Sequence, residues 1–113
     1  VGNLVFDPID RFLATSGLHI YIGEPGHRGR GVGRSSLGLA LDLAFGTLSL
    51  NKVWLLAHER NASAIALYQA VGFCIEAVLK EEFRLGSELV TALRFGILKR
   101  EWSAAPDRRG RPE

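Results

Sequence analysis

Methionine is absent from this sequence of 113 residues, and cysteine occurs once, at Cys74. One thiol cannot close an internal disulfide, which agrees with a reducing compartment. No Cys/His spacing of the zinc type is present either, so no metal site is expected. Without methionine the chain as given does not begin at a translation start, and it reads as a fragment. Long hydrophobic runs are also missing: nothing approaches the roughly 18 apolar residues of a membrane span. The start "VGNLVFDPID" has no basic n-region and carries acidic residues early, unlike a secretory signal. A cytoplasmic setting without a membrane is the expectation. Charge of one sign is scarce: the formal net charge is +2, from 14 Lys and Arg against 12 Asp and Glu. The basic residues gather in "GHRGRGVGR" and "DRRGRPE" rather than along one face, which argues against a nucleic-acid partner.

What is present reads as one small α/β domain, expected over residues 1–102. "VGNLVF" is β-rich and is expected to stop at Asp7 and Pro8, with "DRFLATSG" as a loop before a second strand, "LHIYIG". Leu37, Leu41, Ala44, Phe45 and Leu48 follow the spacing of a helix buried on one side, which predicts a helix over 34–50 with Leu39 and Leu43 widening its stripe. "KVWLLAH" is nearly continuous in apolar residues and reads as a central strand buried on both faces. Asn61 is a good N-cap for "ASAIALYQAV", and Gly72 lies where a left-handed helix end is expected. The stretches 75–83 and 89–99, parted by Gly86, read as a hairpin. The order is β-β-α-β-α-β-β. The tail "SAAPDRRGRPE" lacks apolar anchors and is expected to be disordered.

Between the second strand and the first helix stands "GHRGRGVGRSS". A glycine-rich turn opening a helix offers unpaired N–H groups and partial positive charge, which suits an anion; a solvated surface turn is the plain alternative. A Walker loop is excluded because Val32 stands where its lysine would follow Gly31. A dinucleotide fingerprint is excluded because Arg34 or Ser36 replaces its third glycine.

"RGRGVG", Arg28 to Gly33, resembles the Arg/Gln-x-x-Gly-x-Gly/Ala signature of the GCN5-related N-acetyltransferases (GNAT). "NASAIALYQAVGF", Asn61 to Phe73, resembles that superfamily's second motif, in which an Asn opens a helix, a Tyr sits late on it and Gly-Phe closes it. The closing hairpin is most similar to the ribosomal-protein and spermidine acetyltransferase branch. The resemblance runs from about Leu18 to Trp102. It implies a mixed sheet with helices packed on it and acetyl-CoA as co-substrate. Its pyrophosphate would meet the amides of Arg28, Gly29, Arg30, Gly31, Val32 and Gly33, with Arg34 beside them. The pantetheine arm would lie between "LHIYIG" and "KVWLLAH", and the backbone at Ile20, Tyr21 and Ile22 would meet the thioester carbonyl.

Asn61 and Tyr68 stand seven residues apart, which returns to within about 20° of one helix face roughly 10 Å along. By resemblance, Tyr68 is the acid that protonates the leaving thiolate and Asn61 holds the pantetheine arm. A core aromatic and a simple N-cap are the structural alternatives. Many relatives carry a glutamate at the start of the strand before the loop, and here that place is Gly17. His19 is the candidate base on its ordinary pKa, with Glu24 or a water chain as competitors. His27 reads as part of the phosphate loop and His58 as a strand-end hydrogen-bonding residue; Glu81 and Glu82 read as a solvated pair, with contact to a cationic substrate, which the resemblance to polyamine-type relatives implies, as the alternative. The acceptor is expected to be a primary amine: a protein N-terminus, a polyamine or another small amine. A degenerate, non-catalytic domain that binds acetyl-CoA without transfer, or only packs against a partner chain, is the alternative. The free sheet edge left by absent N-terminal elements is open to homodimerisation.

Overall fold

The computed structural model describes residues 2–22 and 30–104, with the side chains of 4–20 and 33–103. The expectations for Glu24, His27, Arg28 and Gly29, and for the tail beyond Ala104, lie outside the described residues. The elements follow the order read from the sequence: β1 (Gly2–Asp10), β2 (Thr15–Ile22), α1 (Arg30–Asp42), β3 (Lys52–His58), α2 (Ala62–Val71), β4 (Cys74–Leu85) and β5 (Glu88–Leu98), followed by a short α3 (Lys99–Ala104). The five strands form one mixed sheet, ordered β1-β2-β3-β5-β4, in which only β2 and β3 run parallel.

Strand β1 does not stop at Pro8. Its ladder with β2 shifts between Phe6 and Ile9 and resumes at Ile9↔Ser16, so Pro8, which has no N–H to give, falls in the irregularity of an edge strand. The expected loop "DRFLATSG" therefore shrinks to a turn in which the Leu13 amide donates to Asp10 Oδ1 at 2.9 Å. Helix α1 begins at Arg30, four positions before its expected start, and its last turn, Leu43–Thr47, widens into a π-helical turn that buries Ala44 and Phe45. Leu39 and Leu43 do not widen the buried stripe: they are 71% and 45% exposed. At 100° per residue, Leu39 lies about 200° from the buried Leu37, on the opposite side of the helix.

Leu37, Leu41 and Phe45 of that segment pack with Val53, Leu55, Ala57, Phe95 and Ile97 of the sheet and with Tyr68 and Val71 of α2. Strand β3 is thus not buried equally on both faces. Val53, Leu55 and Ala57 are buried under the helices, whereas Lys52, Trp54, Leu56 and His58 alternate with them on a half-covered face. The last strand ends at Leu98, and the chain turns into α3. The Leu98 amide donates to Glu101 Oε1 at 2.9 Å, a carboxylate reaching back to the start of its helix. This places Trp102 in the core, where its indole N–H donates to Asp42 Oδ1 at 2.9 Å.

Candidate active site

The site begins where a ladder ends. Strands β2 and β3 pair only at Thr15↔Lys52, Ser16↔Val53 and Gly17↔Trp54, although β2 continues to Ile22 and β3 to His58. Beyond that point β2 stays paired to β1, and β3 to β5, so each strand keeps one unpaired edge facing the gap. In a parallel pair every second residue points its N–H and C=O to a given neighbour, so the gap is lined by backbone donors and acceptors without ladder partners.

The packing at the last pair is tight. A Cβ on Gly17 would lie 2.7 Å from the Asp7 carbonyl oxygen and 2.8 Å from Trp54 Cζ2. The Trp54 ring is wedged where a side chain on residue 17 would stand. A side chain at this position would require Trp54 or the Asp7 segment to move.

Leu18, His19, Ile20, Trp54, Leu56, Tyr68 and Phe83 line the resulting open cleft, which has a volume of about 190 Å³. Three of the residues singled out in the sequence, His19, Ile20 and Tyr68, thus meet there. His19 Nε2 lies 2.7 Å from the Asp7 carbonyl oxygen. A carbonyl only accepts, so Nε2 carries the hydrogen in this arrangement.

Tyr68 combines a core position with a place in the cleft wall. Its ring belongs to the core, edge-on to Phe73 and Phe95 with centroids 6.1 and 5.4 Å away, and it also forms part of the cleft wall. Its hydroxyl has no hydrogen-bond partner among the described residues. Burial raises its pKa above the ordinary 10.0, because the phenolate loses hydration, so the group stays protonated at neutral pH.

The other candidates divide. Asn61 is the N-cap of α2: its Oδ1 accepts from the Ala64 amide and from Ser63 Oγ, both at 3.2 Å, and it is not part of the cleft wall. Arg30, Gly31 and Val32 form the first turn of α1 rather than a loop, which is where helix amides lack partners. Gly33 sits close against α2, since a Cβ there would lie 3.2 Å from Leu67 Cδ2. Arg34 keeps a buried Nε with no partner among the described residues, a donor aligned in chemistry with an anion. For Tyr21 and Ile22 only the backbone is described, within β2.

His58 does not make the hydrogen bond expected of it. Its Nδ1 is buried without a partner among the described residues, and the ring packs edge-on against Phe83 at 6.4 Å. Glu81 and Glu82 are exposed on β4. Sequence reading missed Trp54, Leu56 and Phe83, together with Arg94, whose guanidinium lies 4.2 Å from the centroid of the Trp54 ring. The period-two alternation of β3 was the available signal, masked by the apolar character of both its faces. Among the described residues no three His, Cys, Asp or Glu side chains gather as a metal site, and no helix is long and apolar enough to cross a membrane.

A mixed sheet whose one parallel pair opens into a cleft, with a glycine-rich helix start following the first strand of that pair, defines the acyl-CoA N-acyltransferase class of fold. The model of the Acetyltransferase (GNAT) family matches residues 1–73, and the chain belongs to that family. It is 31% identical over 81 residues to the spermidine N(1)-acetyltransferase of Escherichia coli K12, a match covering 72% of this chain and 44% of that protein. The Vibrio cholerae spermidine N(1)-acetyltransferase is 35% identical over 78 residues, or 69% and 45% of the two chains. The structure superimposes with a TM-score of 0.87 on the V. cholerae spermidine/spermine N-acetyltransferase SpeG solved with manganese ions, at 30% identity, covering 92% of this chain and 61% of that one. The chain spans about half the length of the curated relatives it matches.

Proposed function

We propose that this chain transfers the acetyl group of acetyl-CoA to a primary amine in the cytoplasm. The observation that carries the reading is the opening of β2 from β3 beyond Gly17 and Trp54, with Tyr68 in its wall. Acetyl-CoA supplies an acetyl thioester on an arm rich in amides and a tail rich in phosphates. The free strand edges fit the first chemically, and the first-turn amides of α1 with the orphaned Arg34 Nε fit the second. Arg28 and Gly29 belong to the same motif by resemblance.

Each side chain then has a task that its surroundings suit. Tyr68 holds its proton at neutral pH and gives it to the departing sulfur. His19, whose Nε2 lies 2.7 Å from the Asp7 carbonyl oxygen, receives the amine's proton. Backbone N–H groups of β2 near Ile20 stabilise charge on the thioester oxygen. Asn61 caps α2 through Oδ1 and leaves its amide NH₂ for the pantetheine arm. Relatives named for spermidine make polyamines the first acceptors to screen. The V. cholerae relative has been described as a dodecamer, and β1 offers an outer edge to a second chain.

Thermal unfolding with and without acetyl-CoA tests the donor site. A ligand at 100 times its Kd adds about 2.7 kcal/mol, which raises Tm by roughly 10 °C or more in a domain of this size. A clear rise that free adenosine does not reproduce is expected. A cooperative transition that acetyl-CoA leaves unmoved would refute the reading.

A further inference from the structure

The cleft is walled from both sides of the sheet. Leu18 and Ile20 pack with the core under the helices, as Tyr68 of α2 does, so these three line it from the helix side. His19 alternates with Leu18 and Ile20, and Trp54 and Leu56 alternate with the buried Val53, Leu55 and Ala57, so this second trio lines it from the opposite side. Phe83 joins the second trio from β4.

Phe83 owes its place to an irregularity in β4. The β4–β5 ladder pairs Leu79 with Ala92, and in a regular antiparallel register Glu81 would then stand opposite Val90. Phe83 stands there instead, so that Lys80, Glu81 and Glu82 fill the interval that Thr91 alone spans on β5. Glu81 takes a φ of 53°, in the left-handed region that residues other than glycine rarely adopt. Bulges re-aim side chains, and they gather beside functional sites. Here the bulge exchanges a glutamate for a phenylalanine opposite the buried Val90, on the β5 face shared with Ala92, the ladder partner of His58. The Phe83 ring packs edge-on to His58, with centroids 6.4 Å apart, and reaches the cleft wall.

We propose that Phe83, with Trp54 and Leu56, holds the apolar stem that carries the acceptor's amine, so that the site selects primary amines borne on a methylene chain. The inference rests on the acetyl-transfer reading and names what its acceptor side selects. In that reading Tyr68 serves the sulfur from the helix side of the gap and His19 serves the amine from the other, the side on which Phe83 stands. The amine forms the new N–C bond as the C–S bond breaks. One amine proton passes to His19, Tyr68 protonates the sulfur, and the products are an N-alkylacetamide and CoA thiol. Phe83 makes no bond in this step; it positions the nitrogen by burying the methylenes behind it, each worth roughly fourfold in binding.

The test uses ethylamine, butylamine and hexylamine, whose nitrogens are alike in basicity, as acceptors, and N-hexylacetamide as a binding probe in calorimetry that needs no turnover. Burial of the stem predicts a kcat/KM that rises about tenfold or more from ethylamine to butylamine. Phe83→Ala is expected to flatten that gradient and to weaken N-hexylacetamide binding by about fivefold or more, while acetyl-CoA affinity is kept. Phe83→Leu, which keeps a smaller apolar wall, is expected to fall between, and it replaces the alanine variant if that one does not unfold cooperatively. Equal probe affinity in wild type and the Phe83 variant, no measurable probe binding to the wild type, or measurable transfer with the same kcat/KM for ethylamine and hexylamine would each overturn the proposal. Absence of acetyl-CoA binding and of all transfer would sink the acetyl-transfer reading, while the probe comparison would still decide the Phe83 site.

Discussion

Replacing Tyr68 by phenylalanine separates two roles that coincide in one ring. The aromatic contacts with Phe73 and Phe95 survive the change, and the hydroxyl that is lost has no protein partner among the described residues. No buried group is left unpaired, so the stability change is expected to stay within about 0.5 kcal/mol, or roughly 4 °C in Tm. Turnover is expected to fall by about 10²- to 10⁴-fold, the range for loss of a positioned acid, with acetyl-CoA affinity nearly unchanged. The pH profile sharpens the test. An acid whose folded pKa is raised acts throughout the pH range below its unfolded value and is lost only as pH climbs through the higher folded value. Any alkaline limb due to Tyr68 therefore lies above pH 10.0, and it should vanish in the variant. The matching stability term has the same sign, full below that pH and fading above it. A loss of turnover below threefold, measured by thiol release at saturating acetyl-CoA, would refute the assignment and leave Tyr68 as a core aromatic.

The remaining predictions rest on packing and capping. Gly17→Ala should destabilise the chain by about 1–3 kcal/mol in urea unfolding, because its Cβ meets the Asp7 carbonyl at 2.7 Å and the Trp54 ring on the other side. An unchanged midpoint would show that β1 and Trp54 yield easily. Asn61→Ala removes the acceptor of the Ala64 amide and should cost about 0.5–2 kcal/mol in stability. If calorimetry shows an unchanged acetyl-CoA affinity in that variant, Asn61 is a cap and nothing more.

Local chemistry was legible in the sequence because its causes lie within a few residues. Asn61 caps α2 and Gly72 closes it at a φ of 128°, as the residue types required. Gly86 takes a φ of 62° at the hairpin turn, and the glycine-arginine run opens a helix after a strand. Errors arose where a short run had more than one reading. Leu39 fits the stripe by residue type, but its angle excludes it, and Pro8 reads as a stop although an edge strand tolerates it at an irregularity. The π-helical turn left no mark in the hydrophobic period.

What the chain determined by itself was therefore the elements, their order and the residue types offered at each end, since propensity, capping and periodicity act over a turn or a strand. Only the tertiary structure showed that β2 leaves β3 after Gly17, and that Gly17 is crowded by a Trp54 ring and an Asp7 carbonyl brought together from separate strands. The same meeting of distant segments put Tyr68 and His19 on one cleft. It also set Arg94 on Trp54, a contact that closes only when β3 and β5 pair across some forty residues of intervening chain.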